Sequence, residues 1–257
     1  MDDLSSTWPA GLGGRRWWLA AGGAIALLLV LLPFDRALSL WAQGWPPAIR
    51  EPLAAVTRYG ESDWILYPAA ALFVVTVPLA LLSPWRLMRL MLWQFAGLYA
   101  FIFLAVGVPN LFTLIVKRII GRGRPEHFEQ TGLLGLRPNW LDWSYQSFPS
   151  NHTTTAVALA VAIGFLAFRW FPIGVVFAIA IGVSRLSLGV HYPTDVVAGA
   201  MVGTVGAYAV RWGFARRGWV FREAPAGHIV VRPMSSMQRY LSLMRRRIGP
   251  GRRPDRP

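Results

Sequence analysis

Long apolar segments separated by shorter polar stretches dominate the hydropathy pattern of this chain. A helix needs roughly 17–25 apolar residues to cross a bilayer core about 30 Å thick. Six segments meet or nearly meet this length, with predicted ranges of 17–33, 64–82, 90–116, 152–168, 173–189 and 195–211. The pattern therefore predicts an all-α fold: a polytopic membrane helix bundle with six transmembrane helices.

Three of the segments have features that refine this prediction. The third is the longest and contains Pro109, so we expect it to tilt or kink. The fifth contains Ser184 and Arg185, and a broken or re-entrant helix is the alternative to a full span there. The first follows Arg15 and Arg16, as a signal peptide would, but Pro33-Phe34-Asp35-Arg36 is no small-residue cleavage site. We therefore predict an uncleaved first span.

The segment 34–63 separates the first two predicted spans and is rich in Trp and Pro, with Trp41, Trp45, Pro46 and Pro47. We expect a short amphipathic helix at the membrane interface. Its aromatic residues fit either an anchoring belt or a gate for substrate, and the sequence leaves both open.

Six spans place both termini and the links 83–89 and 169–172 on one side of the membrane. That side carries Arg15, Arg16, Arg86, Arg89, Arg169, Arg216 and Arg217. The opposite side holds seven acidic residues but also Arg36, Arg50, Arg58, Arg118, Arg122 and Arg137, some of which are candidates for chemistry. The positive-inside rule favours cytoplasmic termini in an inner-membrane, multi-pass protein. Segments 117–151 and 190–194 would then face the periplasm or exterior.

Composition supports a membrane protein, since 54% of the 257 residues are hydrophobic and only 15% are charged. The net charge is +14, but residues 211–257 hold twelve arginines against two acidic residues and account for +10 of it. Because the other 210 residues carry only +4, we predict no nucleic-acid partner. We divide the chain into a cytoplasmic N-terminus at 1–16, a six-span domain at 17–212 and a basic, poorly ordered cytoplasmic tail at 213–257. Within the tail, 237–247 either lies on an anionic leaflet or is solvated.

The first cluster of candidate chemistry surrounds Lys117, the only lysine of the chain. Lys117 and Arg124 flank a glycine-bearing turn that ends at Pro125, just after the third span. A lysine acts as a point charge and an arginine as a planar fork, so together they can grip a phosphate from several sides. Contact with lipid headgroups is the alternative.

The second cluster, Pro149-Ser150-Asn151-His152, stands just before the fourth apolar segment. Ser150 is placed to cap a helix, and a helix N-terminus is an anion site because its backbone N–H groups are free. His152 would then lie in the first turn. A plain cap beside an interfacial histidine remains the simpler interpretation of this cluster alone.

The third cluster runs from Ser184 to Asp195. Arg185 lies within an apolar segment, where a charge usually marks a site or an ion pair. His191 lies four residues before Asp195, so the carboxylate can fix one imidazole nitrogen and leave the other free as nucleophile or base. Asp195 as an ordinary helix cap is the alternative.

All three clusters lie on one predicted face of the membrane, and together they supply three cations, a helix N-terminus and two histidines. Lys117-x6-Arg124-Pro125, then Pro149-Ser150-Asn151-His152, then Ser184-Arg185-x5-His191-x3-Asp195 resemble the three-part signature of the type 2 phosphatidic acid phosphatase superfamily. That superfamily also contains the vanadium haloperoxidases. The motifs cover residues 117–195.

The resemblance implies a membrane phosphatase of lipid phosphates that uses no metal and no cofactor. His191 would form a phosphohistidine, Asp195 would orient it, and His152 would protonate the leaving oxygen. The residues implied to bind the phosphate are Lys117, Arg124, Ser150, Asn151 and Arg185. The expected partners are a phosphorylated lipid (phosphatidic acid, phosphatidylglycerol phosphate, isoprenyl pyrophosphate or lipid A) and the bilayer, and the oligomeric state is left open.

One position departs from the family pattern, because Asn151 stands where the family usually has Gly. Asn tolerates a positive φ better than most residues, so we expect an effect on substrate choice but not on activity. His127, near the first cluster, is interpreted as a loop histidine. A phosphotransferase that uses the same residues is the main alternative function, and an anion transporter is a more distant one.

Overall fold

Helices form most of the chain in the computed structural model, which describes residues 4–9, 16–138, 140–224 and 227–233. The helices are α1 (Trp17–Leu31), α2 (Asp35–Gln43), α3 (Pro47–Thr57), α4 (Asp63–Leu82), α5 (Arg86–Ile120), α6 (Phe128–Thr131), α7 (Asn151–Leu166), α8 (Phe171–Ser187) and α9 (Pro193–Arg216). Two short antiparallel strands follow, β1 (Phe221–Glu223) and β2 (Ile229–Val231).

Each of the six predicted apolar segments coincides with one long helix, namely α1, α4, α5, α7, α8 and α9. The segment 34–63 differs from the prediction, since it forms two helices and not one. α2 ends at Gly44, and Pro46 has an extended backbone before Pro47 opens α3. Proline suits the first position of a helix, where its missing N–H costs nothing. The extended Pro46 therefore separates the two helices, and Pro47 begins α3.

Four helical stretches in the described part of the chain are long and apolar enough to cross a membrane: Trp17–Gln43, Pro47–Leu82, Arg86–Ile120 and Phe168–Ser187. α7 is apolar but only 16 residues long, and α9 is not among the four. Both helices bury many of their residues against other helices, so they need less lipid-facing apolar surface. The structure supports a mostly helical membrane protein, and six spans remain a prediction.

α7 is at the centre of the bundle, where it packs against α5, α8 and α9. The approach of α9 is close because two of its residues lack a side chain. A Cβ added to Gly199 would lie 2.5 Å from the Ser150 carbonyl oxygen, and one added to Gly203 would lie 2.6 Å from that of Thr154. These two glycines therefore bring the N-terminal end of α7 close against α9.

α5 and α8 both run without a break through the residues expected to disturb them. α5 continues for 35 residues through Pro109, and α8 contains Ser184 and Arg185 within its last turn. α5 ends at Gly121, which has a φ of 61°. A Cβ there would lie 1.7 Å from the Arg137 carbonyl oxygen, so only glycine permits this turn, which directs the chain towards Arg122 and Arg124.

Part of the predicted tail, residues 213–224 and 227–233, is described by the structure and contains regular elements. α9 continues to Arg216, and the β1–β2 hairpin packs onto the bundle because Phe221 and Ile229 are buried against aromatic side chains. The ring centroid of Phe221 lies 4.7 Å from that of Phe101. Residues 234–257, including 237–247, lie outside the described residues.

Candidate active site

Four helix ends meet at one end of the bundle and bring the three sequence clusters together. Lys117 is in the last turn of α5, His152 in the first turn of α7, and Arg185 in the last turn of α8. His191 lies in the short connection from α8 to α9. The imidazole of His152 is within electrostatic reach of Arg185, His191, Lys117 and Arg124. The predicted cations and both histidines therefore lie close together at this end of the bundle, and the space between them is called the pocket below.

Among the residues that the structure describes, the three cations of this pocket have no carboxylate partner. Lys117 and Arg185 are only 7% and 8% exposed, and Arg124 is half-buried. In the described part of the chain, no carboxylate oxygen lies within 4.0 Å of their nitrogens. The Nε atoms of Arg124 and Arg185 are also buried without a hydrogen-bond acceptor. Because a buried cation is costly without a counter-charge, this arrangement fits the binding of an anion.

Arg124 remains a cation despite its surroundings. Burial lowers the pKa of its guanidinium, and the carboxylates of Glu126 and Asp195 oppose that shift. Its guanidinium carbon lies 4.2 Å from the ring centroid of Trp143, which supports the planar group on one face. The edge of the guanidinium is left available to a ligand.

His191 is 2% exposed, and its Nδ1 lies 3.4 Å from both Asp195 Oδ2 and Ser147 Oγ. Burial lowers the pKa of His191 to about 4, although the nearby Asp195 carboxylate acts in the opposite direction. The imidazole is therefore neutral at neutral pH. With a proton on Nδ1 facing Asp195, Nε2 keeps its lone pair and is a competent nucleophile.

Asp195 combines the two roles between which the sequence could not decide. Its Oδ2 accepts hydrogen bonds from the Tyr192 N–H at 2.8 Å and from Ser147 Oγ at 2.5 Å, so it caps α9 while it faces His191. Its Oδ1 accepts from Arg122 Nη1 at 2.7 Å. A fully buried carboxylate with this many donors is fixed in orientation.

Ser150 caps α7, as predicted: its Oγ accepts a hydrogen bond from the Thr153 N–H at 3.5 Å. The backbone N–H of Ser150 donates to the Asp195 carbonyl oxygen at 3.0 Å, which ties the α7 N-terminus to α9. Asn151 opens the helix, and its Oδ1 is buried without a hydrogen-bond partner. The free N–H groups of the first turn of α7 thus lie at the same pocket as the cations.

Several residues of the site were missed by sequence reasoning. Thr57 accepts a hydrogen bond from Arg185 Nη1 at 2.9 Å and contacts Ser184 Oγ at 3.0 Å. Gly60 lies so close to His152 that an added Cβ would approach its Cδ2 to 2.8 Å. Both belong to the segment 34–63. The sequence offered a gate for substrate as one of two interpretations of that segment, but it did not indicate these two residues. Ser147 carried no local signal beyond its position two residues before Pro149.

His127 is a loop histidine, as interpreted from the sequence. Its Nε2 lies 2.9 Å from Ser144 Oγ, and its ring stacks on Tyr145 with centroids 4.7 Å apart. These contacts stabilise the loop that follows Arg124.

Comparison with known proteins identifies the family of this chain. The family model described as the PAP2 superfamily matches residues 98–219. A lipid A 1-phosphatase of Rhizobium johnstonii is 31% identical over 207 residues, which is 79% of this chain and 82% of that protein. A decaprenylphosphoryl-5-phosphoribose phosphatase of Mycobacterium tuberculosis is 37% identical over 116 residues, 45% of this chain and 58% of the relative.

A solved structure is similar in fold. The transmembrane PAP2 type phosphatidylglycerolphosphate phosphatase of Bacillus subtilis superposes with a TM-score of 0.50 at 23% identity, covering 76% of this chain and 95% of that one. The family-model match spans all three motifs, and the likeness to the Rhizobium relative extends over most of both chains. This chain therefore belongs to the PAP2 superfamily.

Proposed function

We propose that this chain hydrolyses a phosphomonoester or pyrophosphate of a membrane lipid through a phosphohistidine on His191. The observation that carries the proposal is a neutral, carboxylate-oriented imidazole facing a pocket of three cations, none of which pairs with a carboxylate of the described residues. Such a pocket is complementary to a phosphoryl group, whose charge is spread over its equatorial oxygens in the transition state.

Binding is assigned to Lys117, Arg124 and Arg185, which would neutralise the phosphoryl oxygens. The Ser150 hydroxyl and the free N–H groups at the start of α7, including that of Asn151, would donate further hydrogen bonds. The negative charge of the phosphate would then serve as the counter-charge for the three cations.

The chemical step begins when Nε2 of His191 attacks phosphorus, while the bond from phosphorus to the lipid oxygen breaks. His152 gives its proton to that leaving oxygen, since the bound dianion favours the imidazolium form of the neighbouring ring. Asp195 holds the proton on Nδ1 of His191 and stabilises the cationic phosphohistidine. Water then attacks phosphorus with neutral His152 as base, which releases inorganic phosphate and restores His191.

The same arrangement supports a proposal for the topology. We propose six spans, α1, α4, α5, α7, α8 and α9, with cytoplasmic termini and the active site at the periplasmic or outer face of the inner membrane. The functional helix ends share one end of the bundle. Arg86, Arg89, Arg169 and Arg216 belong to the other ends of those helices, where the positive-inside rule favours the cytoplasm. The domain is then residues 17–212, extended by the hairpin.

For the substrate, we propose a lipid A type phosphate as the first to test. The support is the 31% identity with a lipid A 1-phosphatase across 82% of that protein. Phosphatidic acid, phosphatidylglycerol phosphate and isoprenyl pyrophosphate complete the panel, since they share the phosphoryl group and differ in the lipid.

The test is phosphate release from this panel by the purified protein in detergent, with and without EDTA. We expect at least one lipid to be cleaved, at a rate that EDTA leaves unchanged. His191→Ala should abolish release, and His228→Ala, at an exposed histidine remote from the motifs, should not. Absence of release from every lipid, or an active His191→Ala variant, contradicts the proposal. Transfer of labelled phosphate to a second lipid instead of water would indicate a phosphotransferase.

A further inference from the structure

Arg122 is a further arginine next to the phosphate pocket. Unlike the three cations of the pocket, it forms ion pairs with carboxylates of the described residues. Arg122 is 4% exposed and pairs with two carboxylates at once. Its Nη2 lies 2.8 Å from Asp35 Oδ2, and its Nη1 lies 2.7 Å from Asp195 Oδ1. Unlike Lys117, Arg124 and Arg185, Arg122 has carboxylate partners for both of its Nη atoms among the described residues.

Asp35 is the unexpected member of this system. It is the first residue of α2, lies 87 positions before Arg122 in the sequence, and is fully buried. Its Oδ1 accepts the Thr194 N–H at 2.9 Å, and its Oδ2 accepts both Arg122 and the Thr194 hydroxyl. Arg122 Nη1 also donates to Thr194 Oγ1 at 2.7 Å. Asp35 therefore holds Arg122 and, separately, the residue that precedes Asp195.

The geometry explains why an arginine is needed. Two nitrogens of one rigid fork point at two carboxylates, which the single ammonium of a lysine cannot reproduce. The fork also lies over the Tyr192 ring, 4.3 Å from its centroid, so its plane is fixed by packing. The two carboxylates explain why the pKa of Arg122 is raised despite its burial.

The consequence for catalysis comes through Asp195. With Oδ1 held by Arg122, rotation of the carboxylate is blocked, and Oδ2 is kept towards Nδ1 of His191. We propose that Asp35 and Arg122 are positioning residues that fix Asp195, and through it His191, for attack on phosphorus. This inference rests on the proposed function. Asp35 is wholly buried and paired within the chain, so it has no direct contact with substrate.

The test compares Asp35→Asn and Arg122→Lys with wild type, using the lipid phosphate of the panel that wild type cleaves fastest and measuring kcat and KM separately. We expect kcat to fall about 10-fold to 100-fold with KM within about twofold, the size of effect usual for partners that orient a functional side chain. Glu51→Gln, an exposed acidic residue on α3, is the control and should match wild type.

A second measurement separates positioning from general loss of structure. Inorganic phosphate should raise the Tm of wild type and of both variants by the same amount, because the three unpaired cations are unchanged. Thr194→Val, which is nearly isosteric and keeps the backbone bond to Asp35, should lower kcat severalfold in a protein that folds normally.

Three outcomes decide the proposal. Variants with wild-type kcat, or variants that lose kcat and phosphate stabilisation together, overturn it. If wild type and His191→Ala differ as expected while the Asp35, Arg122 and Thr194 variants do not, the inference fails and the proposed function stands. A wild-type protein that cleaves no lipid phosphate overturns the function and the inference together.

Discussion

Asp195→Asn is the most informative single substitution, because it keeps the shape of the side chain and removes the charge that orients His191. The carboxylate oxygens accept from Arg122 at 2.7 Å, from Ser147 at 2.5 Å and from the Tyr192 N–H at 2.8 Å. An amide offers one oxygen only. Its NH2 group must face either Arg122, donor against donor, or the hydroxyl and N–H on the other side.

The size of the effect follows from these contacts. At least one charge-assisted hydrogen bond is lost, worth about 1.5–3 kcal/mol, which corresponds to a fall in Tm of roughly 3–12 °C for a chain of this size. Activity should fall much further, by about 100-fold to 10,000-fold in kcat/KM, since the tautomer and the orientation of His191 are both disturbed.

The assay is phosphate release from a lipid phosphate in detergent, with Tm measured on the same preparations. Asp63→Asn is a matched control, because Asp63 is also an aspartate in the first turn of a helix but is exposed. It should change neither quantity appreciably. An Asp195→Asn protein that keeps more than about a third of wild-type kcat/KM would refute the role of Asp195.

Three further predictions follow from the site. Arg185→Lys removes the fork and its bond to Thr57, so kcat/KM should fall about 100-fold in the same assay, and an unchanged value would contradict phosphate binding by Arg185. Gly60→Ala places a Cβ 2.8 Å from both His152 Cδ2 and Ile181 Cγ2, so kcat should fall at least about 10-fold, whereas Gly107→Ala, which meets only an ordinary contact at 3.6 Å, should not. The pKa of His191, lowered to about 4 by burial, means that the unfolded chain binds more protons than the folded one between about pH 6.5 and pH 4. The free energy of unfolding therefore falls as the pH drops below about 6.5, and this residue accounts for a loss of about 2 kcal/mol at pH 5. The Tm of His191→Gln should accordingly decrease less than that of wild type between pH 7 and pH 5.

The helices and the residues of the candidate site were predictable because their signals are local. Apolar length marked each long helix, Ser150 before an apolar run marked a cap, and the spacing from His191 to Asp195 indicated a partnership across one turn. Their convergence followed from the order of the helices, since the clusters stand at the ends of consecutive long helices that meet at one end of the bundle.

The positioning network was not predictable, because its contacts join residues far apart in sequence. Asp35 and Arg122 are separated by 87 positions, and Asp35 and Thr194 by 159. Asp35 follows an apolar segment directly, where a carboxylate is normally solvated, and Arg122 stands among several other loop arginines. The break between α2 and α3 was likewise obscured, since the periodicity of 34–63 is too short to separate two helices from one.

The most direct test of the central claim is to trap the phosphorylated enzyme. Wild-type protein would be mixed with a ³²P-labelled lipid phosphate and quenched within milliseconds into alkali, where phosphohistidine survives, and the labelled peptide would be identified by mass spectrometry. The account predicts label on the peptide that contains His191, and none in His191→Ala. Label on a different residue, or turnover at the wild-type rate without His191, would contradict it.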